Sequence, residues 1–111
     1  MKRLILLSLI FLAACGPRVT ATIGGSGGHY TVVVAAEDAL YDVRLSVLDA
    51  KTDAPGCTRL GADVICSFDA LTPGTVVTLE VEGTPDTACR VGGFTRLGDL
   101  TSYRSINCRV V

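Results

Sequence analysis

The sequence is poor in histidine, a residue that builds many catalytic and metal sites. It contains one histidine, His29, which follows a glycine-rich stretch and has no partner that the sequence identifies. A lone histidine and the absence of a Cys-x2-Cys pair argue against a zinc site. Residues 49–53 lack the alternating oxygen ligands and the glycine of a calcium loop. We therefore predict no catalytic residue, no metal and no cofactor, and we interpret His29 as a solvated loop residue.

Long apolar runs are also missing, except at the N-terminus. Met1-Lys2-Arg3 is a short cationic head, and residues 4–12 are apolar apart from Ser8. As a helix, residues 4–14 would span only about 16 Å, whereas the hydrocarbon of a bilayer is about 30 Å thick. A charged head, a short apolar run and small residues before a cut site are the layout of a secretory signal peptide.

Leu12-Ala13-Ala14-Cys15, at the end of this segment, resembles the lipobox of bacterial lipoproteins. In that family the cysteine thiol receives a diacylglyceryl group, the chain is cut just before the cysteine, and the new amine is usually acylated. The resemblance implies a signal peptide over residues 1–14 and a lipidated, palmitate-bearing Cys15. The alternative is a plain signal peptide that is cut nearby, for example after Gly16, with Cys15 discarded.

The lipobox resemblance implies a location in the cell envelope, where the lipid on Cys15 would be the membrane anchor. One acyl chain holds a protein only marginally, whereas two or three anchor it stably. Gly16 follows the cysteine, at the position where lipoproteins of the enteric type that stay at the inner membrane commonly carry aspartate. We therefore expect the outer membrane if the organism has one, and otherwise the outer face of the plasma membrane.

The cysteine count agrees with lipidation. The chain has five cysteines, and an odd thiol in an exported protein requires an explanation. Use of Cys15 for the lipid leaves four cysteines for two disulfides, namely Cys57, Cys66, Cys89 and Cys108.

Basic residues are few and are not clustered along the chain. Lys2 and Arg3 would leave with the signal peptide, so eight basic residues would face eleven acidic ones, a formal charge of −3. The remaining arginines are scattered among acidic residues and form no run. Since a nucleic-acid binder needs a clustered basic surface, we predict no nucleic-acid partner.

From Tyr30 onward the sequence predicts strands. Residues 30–36 are rich in β-branched side chains, and residues 75–82 alternate between apolar and polar. Residues 41–47 also alternate, which predicts that Tyr41 lies on the same face as Val43, Leu45 and Val47. No segment after the signal peptide shows a long helical period. We therefore predict one all-β domain over residues 30–111.

Residues 15–29 are predicted to form a lipidated tether. The stretch Gly24-Gly25-Ser26-Gly27-Gly28 has a high entropic cost inside a strand or helix, so it is interpreted as a flexible joint. Residues 19–23 alternate between apolar and polar and are compatible with either a first strand or part of the tether.

The segment from Cys57 to Cys66 predicts a hairpin. Gly61-Ala62 fits a two-residue type II′ turn, which requires glycine at its first position. In that register Cys57 lies opposite Cys66 in a non-hydrogen-bonded pair, with Cα atoms about 4.5 Å apart, at the short end of the disulfide range. Two free thiols are the alternative, which an oxidising envelope disfavours. We predict a Cys57–Cys66 disulfide and, by elimination, Cys89–Cys108.

This segment, followed by Phe68–Thr75 and an alternating strand, resembles the Ig-like repeat of bacterial surface proteins. Leu71-Thr72-Pro73-Gly74-Thr75 is also similar to the turn before a late strand in fibronectin type III domains, although Val77 stands where that family usually has a tyrosine. The resemblance covers roughly residues 30–83 and implies an Ig-like antiparallel β-sandwich. Residues 87–111 are predicted to add one or two strands, tied back by the second disulfide.

A binding or structural function is predicted, and an enzyme is the less favoured class, because it would need a site of carboxylates and arginines that spacing does not reveal. The preferred interpretation is a non-catalytic, lipid-anchored envelope module that binds a protein or a glycan or serves structurally. The alternative is a small disulfide-tied inhibitor of an envelope hydrolase, which would act through an exposed loop such as residues 94–102. Phe94, Tyr103 and Ile106 are candidates for an exposed recognition patch, with core or edge packing as the competing interpretation. Glu37 and Asp38 are interpreted as a turn between strands.

Cys15→Ser should abolish anchoring, because it removes the thiol that would carry the lipid. The variant should accumulate as unprocessed precursor or be released, and its mature chain should carry no acyl label. Incorporation of labelled fatty acid and fractionation of membranes measure both effects. Normal retention and labelling of the variant would contradict the lipobox hypothesis.

Overall fold

The structure is a computed structural model that describes residues 18–111. The predicted signal peptide and Cys15 lie outside the described residues. The described part contains eight strands and no helix: β1 Val19–Ser26, β2 His29–Ala36, β3 Leu40–Lys51, β4 Cys57–Leu60, β5 Asp63–Leu71, β6 Val76–Leu97, β7 Leu100–Asn107 and β8 Arg109–Val110. It thus offers no helix long and apolar enough to cross a membrane.

Strand β6 is the longest, with 22 residues, and belongs to two layers. Its first part pairs with β2, from Ala35 opposite Val76 to His29 opposite Glu82. Its second part pairs with β3 on the other edge, starting where Lys51 lies opposite Glu82. The first layer therefore has the order β8-β1-β2-β6, and the second layer has the order β4-β5-β3-β6-β7. All pairings are antiparallel except that of β8 with β1.

The inward faces of the two layers form one hydrophobic core. Val32 of β2, Leu45 of β3 and Val64 of β5 are each at most 2% exposed and belong to the same cluster. Because both layers contribute to one cluster, they pack face to face. The buried side chains are aliphatic residues and cysteines: Ala21, Ile23, Val32, Val34, Ala36, Leu40, Val43, Leu45, Val47, Ala50, Val64, Cys66, Leu71, Leu79, Val81, Cys89 and Val91. The predicted all-β, Ig-like sandwich is confirmed.

Both predicted disulfides are present. Cys57 and Cys66 face each other across β4 and β5, with Cα atoms 4.0 Å apart. This short separation fits the non-hydrogen-bonded pair that the sequence predicted. Cys89 and Cys108 have Cα atoms 5.2 Å apart, and the Cys108 N–H donates to the Cys89 carbonyl at 2.8 Å. The second disulfide therefore closes the base of the hairpin formed by β6 and β7.

The predicted turns also have the expected conformations. Gly61 has φ of 65°, whereas Ala62 is not among the residues with positive φ, as a type II′ turn requires. In Thr72-Pro73-Gly74-Thr75, Gly74 has φ of 91° and the Thr75 N–H donates to the Thr72 carbonyl at 3.0 Å. Both turns thus use glycine where an L-residue would be strained.

The glycine-rich stretch differs from its prediction as a flexible joint. Gly24 and Gly25 lie within β1, which pairs with β2 along its whole length from Val19 to Ser26. Gly27 and Gly28, with φ of 65° and 82°, form the two-residue turn that joins these strands. Their positive φ values match a type I′ hairpin turn, whose twist suits the flanking strands. Residues 19–23, which were compatible with a first strand or with the tether, form a strand. The tether predicted for residues 15–29 is therefore wrong from Val19 onward.

Gly61→Val should destabilise the protein by about 1–3 kcal/mol, because a β-branched residue is strained at positive φ. Ala62→Ser, at the second turn position, should be nearly silent and is the matched control. Urea unfolding with the disulfides intact measures the free energy of unfolding. Equal effects from the two substitutions would show that Gly61-Ala62 does not act as the turn.

Candidate functional site

A bulge in β3 reverses the predicted orientation of Tyr41. Asp42 has φ of 50°, and the pairing of β3 with β6 shifts register between Tyr41 and Arg44. An extra residue in a bulge changes which face the following side chains occupy. Val43 is 1% exposed, whereas Tyr41 is only half-buried and pairs with the exposed Phe94. The prediction that Tyr41 shares the core face with Val43 is therefore wrong.

Three aromatic side chains form a row across the outer face of the second layer. Tyr41 of β3 lies opposite Phe94 of β6, and Phe94 lies opposite Tyr103 of β7. Directly opposed residues of neighbouring strands share one face of the sheet. The rings of Phe94 and Tyr103 meet edge to face, with centroids 5.3 Å apart, and these two side chains remain 38% and 58% exposed.

Gly92 leaves space for the ring of Tyr103, the last member of this row. A Cβ at Gly92 would collide with the hydroxyl and ring of Tyr103. The ring of Tyr103 therefore lies over the backbone of β6, two residues before Phe94. The ring covers a strand position that has no side chain of its own, and it is held in a defined place on an otherwise open face.

Three arginines surround the aromatic row on the same face. Arg96 places its guanidinium carbon 4.0 Å from the centroid of the Tyr41 ring, within the range of a cation–π interaction. Arg44 lies opposite Gly92, and Arg90 donates from Nε to Asn107 Oδ1 at 3.1 Å. We call this surface the aromatic–arginine face; its residues are Tyr41, Arg44, Arg90, Phe94, Arg96 and Tyr103.

The three arginines of the aromatic–arginine face, Arg44, Arg90 and Arg96, form no ion pair with an acidic side chain among residues 18–111. The residues paired with its members across the sheet are alanine, glycine, serine, threonine, asparagine or one another. Asp42 and Asp69 lie at the bulge beside the row. The chain as a whole is acidic, so this concentration of arginine contrasts with the rest of the surface.

A concave feature, separate from the aromatic–arginine face, lies where β3 and the first part of β6 diverge. It is a cleft of about 590 Å³ whose lining includes His29, Asp53, Glu80 and Glu82. Glu80 already forms hydrogen bonds with two neighbouring threonines. Its carboxylate accepts from Thr31 Oγ1 at 3.0 Å, and its carbonyl accepts from Thr52 Oγ1 at 2.8 Å. Within the described chain, no group of three His, Cys, Asp or Glu residues could hold a metal ion.

The other candidate residues that the sequence suggested lie apart from the aromatic–arginine face. His29 is exposed but begins β2, opposite Glu82, so it is a strand residue rather than a loop residue. Ile106 lies opposite the buried Val91 and thus on the other face of β7 from Tyr103. Of the proposed patch, only Phe94 and Tyr103 meet.

The acidic pair at residues 37 and 38 follows β2, as predicted for a turn. Glu37 and Asp38 flank Arg18, with N–O distances of 3.5 and 3.7 Å. The segment 94–102, expected as an exposed loop, is instead the end of the β6–β7 hairpin, with a two-residue turn at Gly98-Asp99. Gly98 has φ of 63°, which suits such a turn.

Comparisons with known proteins identify no family and give only distant structural likenesses. No protein-family model matches the chain, and no curated protein matches its sequence. The chain is similar to part of a GH20 exo-β-N-acetylglucosaminidase from Vibrio harveyi, solved in complex with N-acetylglucosamine, with a TM-score of 0.49 and 9% identity over 86% of this chain and 18% of that one. It is also similar to CsgH from R. palustris, with a TM-score of 0.39 and 18% identity over 83% of this chain and 92% of that one. The chain spans less than a fifth of the enzyme, and neither likeness carries an argument about function.

The bulge at Asp42 should tolerate glycine and reject a β-branched residue. Asp42→Gly should leave the free energy of unfolding nearly unchanged, because glycine adopts positive φ readily. Asp42→Val should lower it by about 1–3 kcal/mol. Urea unfolding of the two variants checks this. If both variants unfold alike, the positive φ of Asp42 is not what turns Tyr41 outward.

Proposed function

We propose that the protein is a non-catalytic, lipid-anchored module of the cell envelope that binds an anionic glycan on its aromatic–arginine face. The observation that carries this proposal is the exposed row of Tyr41, Phe94 and Tyr103 bordered by arginines without carboxylate partners. The core is filled by aliphatic side chains. The aromatic row is therefore not needed to fill the interior, and an exposed apolar row rimmed by polar groups is typical of an interaction site.

The chemistry of the face suits a charged sugar chain. Aromatic rings pack against the C–H groups on the faces of pyranose rings, and arginine binds carboxylate or phosphate through a planar fork of donors. Arg96 is held against the Tyr41 ring, and Arg90 is oriented by Asn107. Two of the three cations are thus positioned before a ligand arrives, which reduces the entropy lost on binding.

The shape of the face favours a glycan over an acidic protein. Protein partners commonly insert aromatic or aliphatic anchor residues into pockets. The face is an open sheet surface, and the 590 Å³ cleft shares no residue with it. An extended polysaccharide requires no anchor pocket, because successive sugars lie along successive side chains of the sheet.

The envelope location rests on sequence evidence and fits this ligand class. The lipobox-like residues before Cys15 support export and anchoring, and the two disulfides are compatible with an oxidising compartment. The inhibitor hypothesis stays a prediction. Its proposed loop is a regular hairpin, so an inhibitor would have to present the end of β6 and β7 as a rigid wedge.

Binding of the full-length chain to alginate, a polyuronate, tests the proposal. Arg44→Gln and Arg96→Gln should each weaken binding roughly three- to tenfold, because each removes a charge-assisted hydrogen bond. Tyr103→Ala should weaken it about fivefold through lost ring contact. Affinity electrophoresis or titration calorimetry at fixed ionic strength measures these changes.

Arg109→Gln is the matched control, since it removes the same charge from β8 in the other layer. Neutral dextran and poly-glutamate separate a requirement for charge from a requirement for sugar. If Arg109→Gln and Arg96→Gln lose equal affinity for alginate, binding depends on the net charge of the protein and not on the aromatic–arginine face. If the protein binds poly-glutamate more tightly than alginate, the ligand of this face is an acidic protein segment and not a glycan.

A further inference from the structure

Strand β7 is the least protected sheet edge in the described part of the chain. It pairs with β6 alone, and all eight of its residues are exposed. It contains no proline and one charged residue, Arg104. Natural proteins usually shield an edge of this length with prolines, charged side chains, inward-pointing charges, a bulge or a covering segment, and Arg104 is such an inward-pointing charge.

The other edges are shorter or covered. Strand β8 has two residues, and β4 has four, among them Arg59. The open edge of β6 in the first layer is shorter than β7 and is contacted by Thr52, whose hydroxyl donates to the Glu80 carbonyl at 2.8 Å. Apart from Arg104, β7 carries none of these devices, so the backbone groups on its outer edge are open to pairing with another strand.

The hairpin turn fixes which backbone groups of β7 point outward. Leu97 and Leu100 close the two-residue turn and so form a hydrogen-bonded pair, after which bonded and non-bonded pairs alternate. The bond from Cys108 N to Cys89 O at 2.8 Å fits that alternation. Every second residue of β7 therefore directs its N–H and C=O away from β6: Thr101, Tyr103, Ser105 and Asn107.

We propose that the β7 edge pairs with the same edge of a second copy, antiparallel, about a two-fold axis at Tyr103. In this register Tyr103 lies opposite Tyr103 of the second copy, and Thr101 lies opposite Ser105. The outward-pointing N–H and C=O groups of these residues then meet their counterparts in hydrogen-bonded pairs. A two-fold contact of this kind uses one surface twice and closes at a dimer.

The side chains support this register. Leu100, 69% exposed, comes to lie opposite Ile106 of the second copy, 36% exposed in the monomer, in a narrow non-hydrogen-bonded pair whose side chains are close. Arg104 lies opposite Ser102. Moving the axis by one residue would place Arg104 opposite Arg104, a like-charge pair that destabilises a sheet.

The dimer would join the second layers of two copies into one continuous sheet. Directly opposed residues share a face, so the two aromatic rows would run end to end on the same side. The proposal concerns self-association through the edge of β7 and does not depend on the ligand of the aromatic–arginine face.

Cross-linking of the full-length protein tests whether the two-fold axis passes through Tyr103. Opposed Cα atoms in a hydrogen-bonded pair are about 5.5 Å apart, within the range of a disulfide. Tyr103→Cys should therefore form a disulfide-linked dimer under mild oxidation, seen on a non-reducing gel. Ser105→Cys should not, because it faces Thr101 of the second copy. The wild-type chain controls for links through the native cysteines.

Sedimentation equilibrium of the full-length chain tests whether backbone hydrogen bonds between the two β7 strands hold the dimer together. Ser105→Pro removes an N–H that points away from β6, so the hairpin should survive, as the circular dichroism spectrum would show. Two hydrogen bonds per dimer are lost, and dimerisation should weaken roughly thirtyfold, whereas Ser105→Ala should be neutral. A wild-type monomer at every concentration, or equal cross-linking by Tyr103→Cys and Ser105→Cys, would overturn the proposal.

Discussion

The shared position of β6 is the constraint on which the rest of the structure depends. At Glu82 the strand has β2 on one edge and β3 on the other, so it leaves one layer as it enters the next. The two layers are therefore connected by continuous backbone as well as by side-chain packing. The divergence of β3 from β6 opens the cleft at the same point, and the far end of β6 carries the hairpin that presents Phe94 and Tyr103.

The aromatic–arginine face arises from local backbone geometry. Without the bulge at Asp42, strict alternation would keep Tyr41 beside Val43 in the core, and Arg96 would lack the ring on which it rests. Without Gly92, the ring of Tyr103 would have no room over β6. One residue at positive φ and one missing side chain thus place two aromatic rings on the outside of a sheet whose inside is aliphatic.

The local chemistry of the chain predicted most of the fold and little of the face. Turn residues such as Gly61 and Gly74 reveal their conformations by their identity, and the turn at Gly61 set the register that placed Cys57 opposite Cys66. The bulge at Asp42 has no such signature, because aspartate is common in ordinary turns as well. Arg44 and Arg96 are far apart in sequence and become neighbours only through the pairing of β3 with β6, which short-range patterns do not encode. The prediction of a flexible joint at the glycine stretch is wrong because Gly24 and Gly25 are held by pairing with Thr31 and Tyr30 of β2, which local composition does not encode.

The early start of β1 changes how far the domain would stand from a membrane. The Arg18 N–H donates to Asp38 Oδ2 at 2.8 Å, so the fold is fixed from this residue onward. If Cys15 carries the lipid as proposed, the chain from Cys15 to Arg18 spans at most about 11 Å. A fifteen-residue tether would instead have allowed the domain to sample a shell several times deeper. So short a link would hold the near end of the domain beside the lipid headgroups, and the orientation of the domain would be set largely by the end of the sandwich that faces the bilayer.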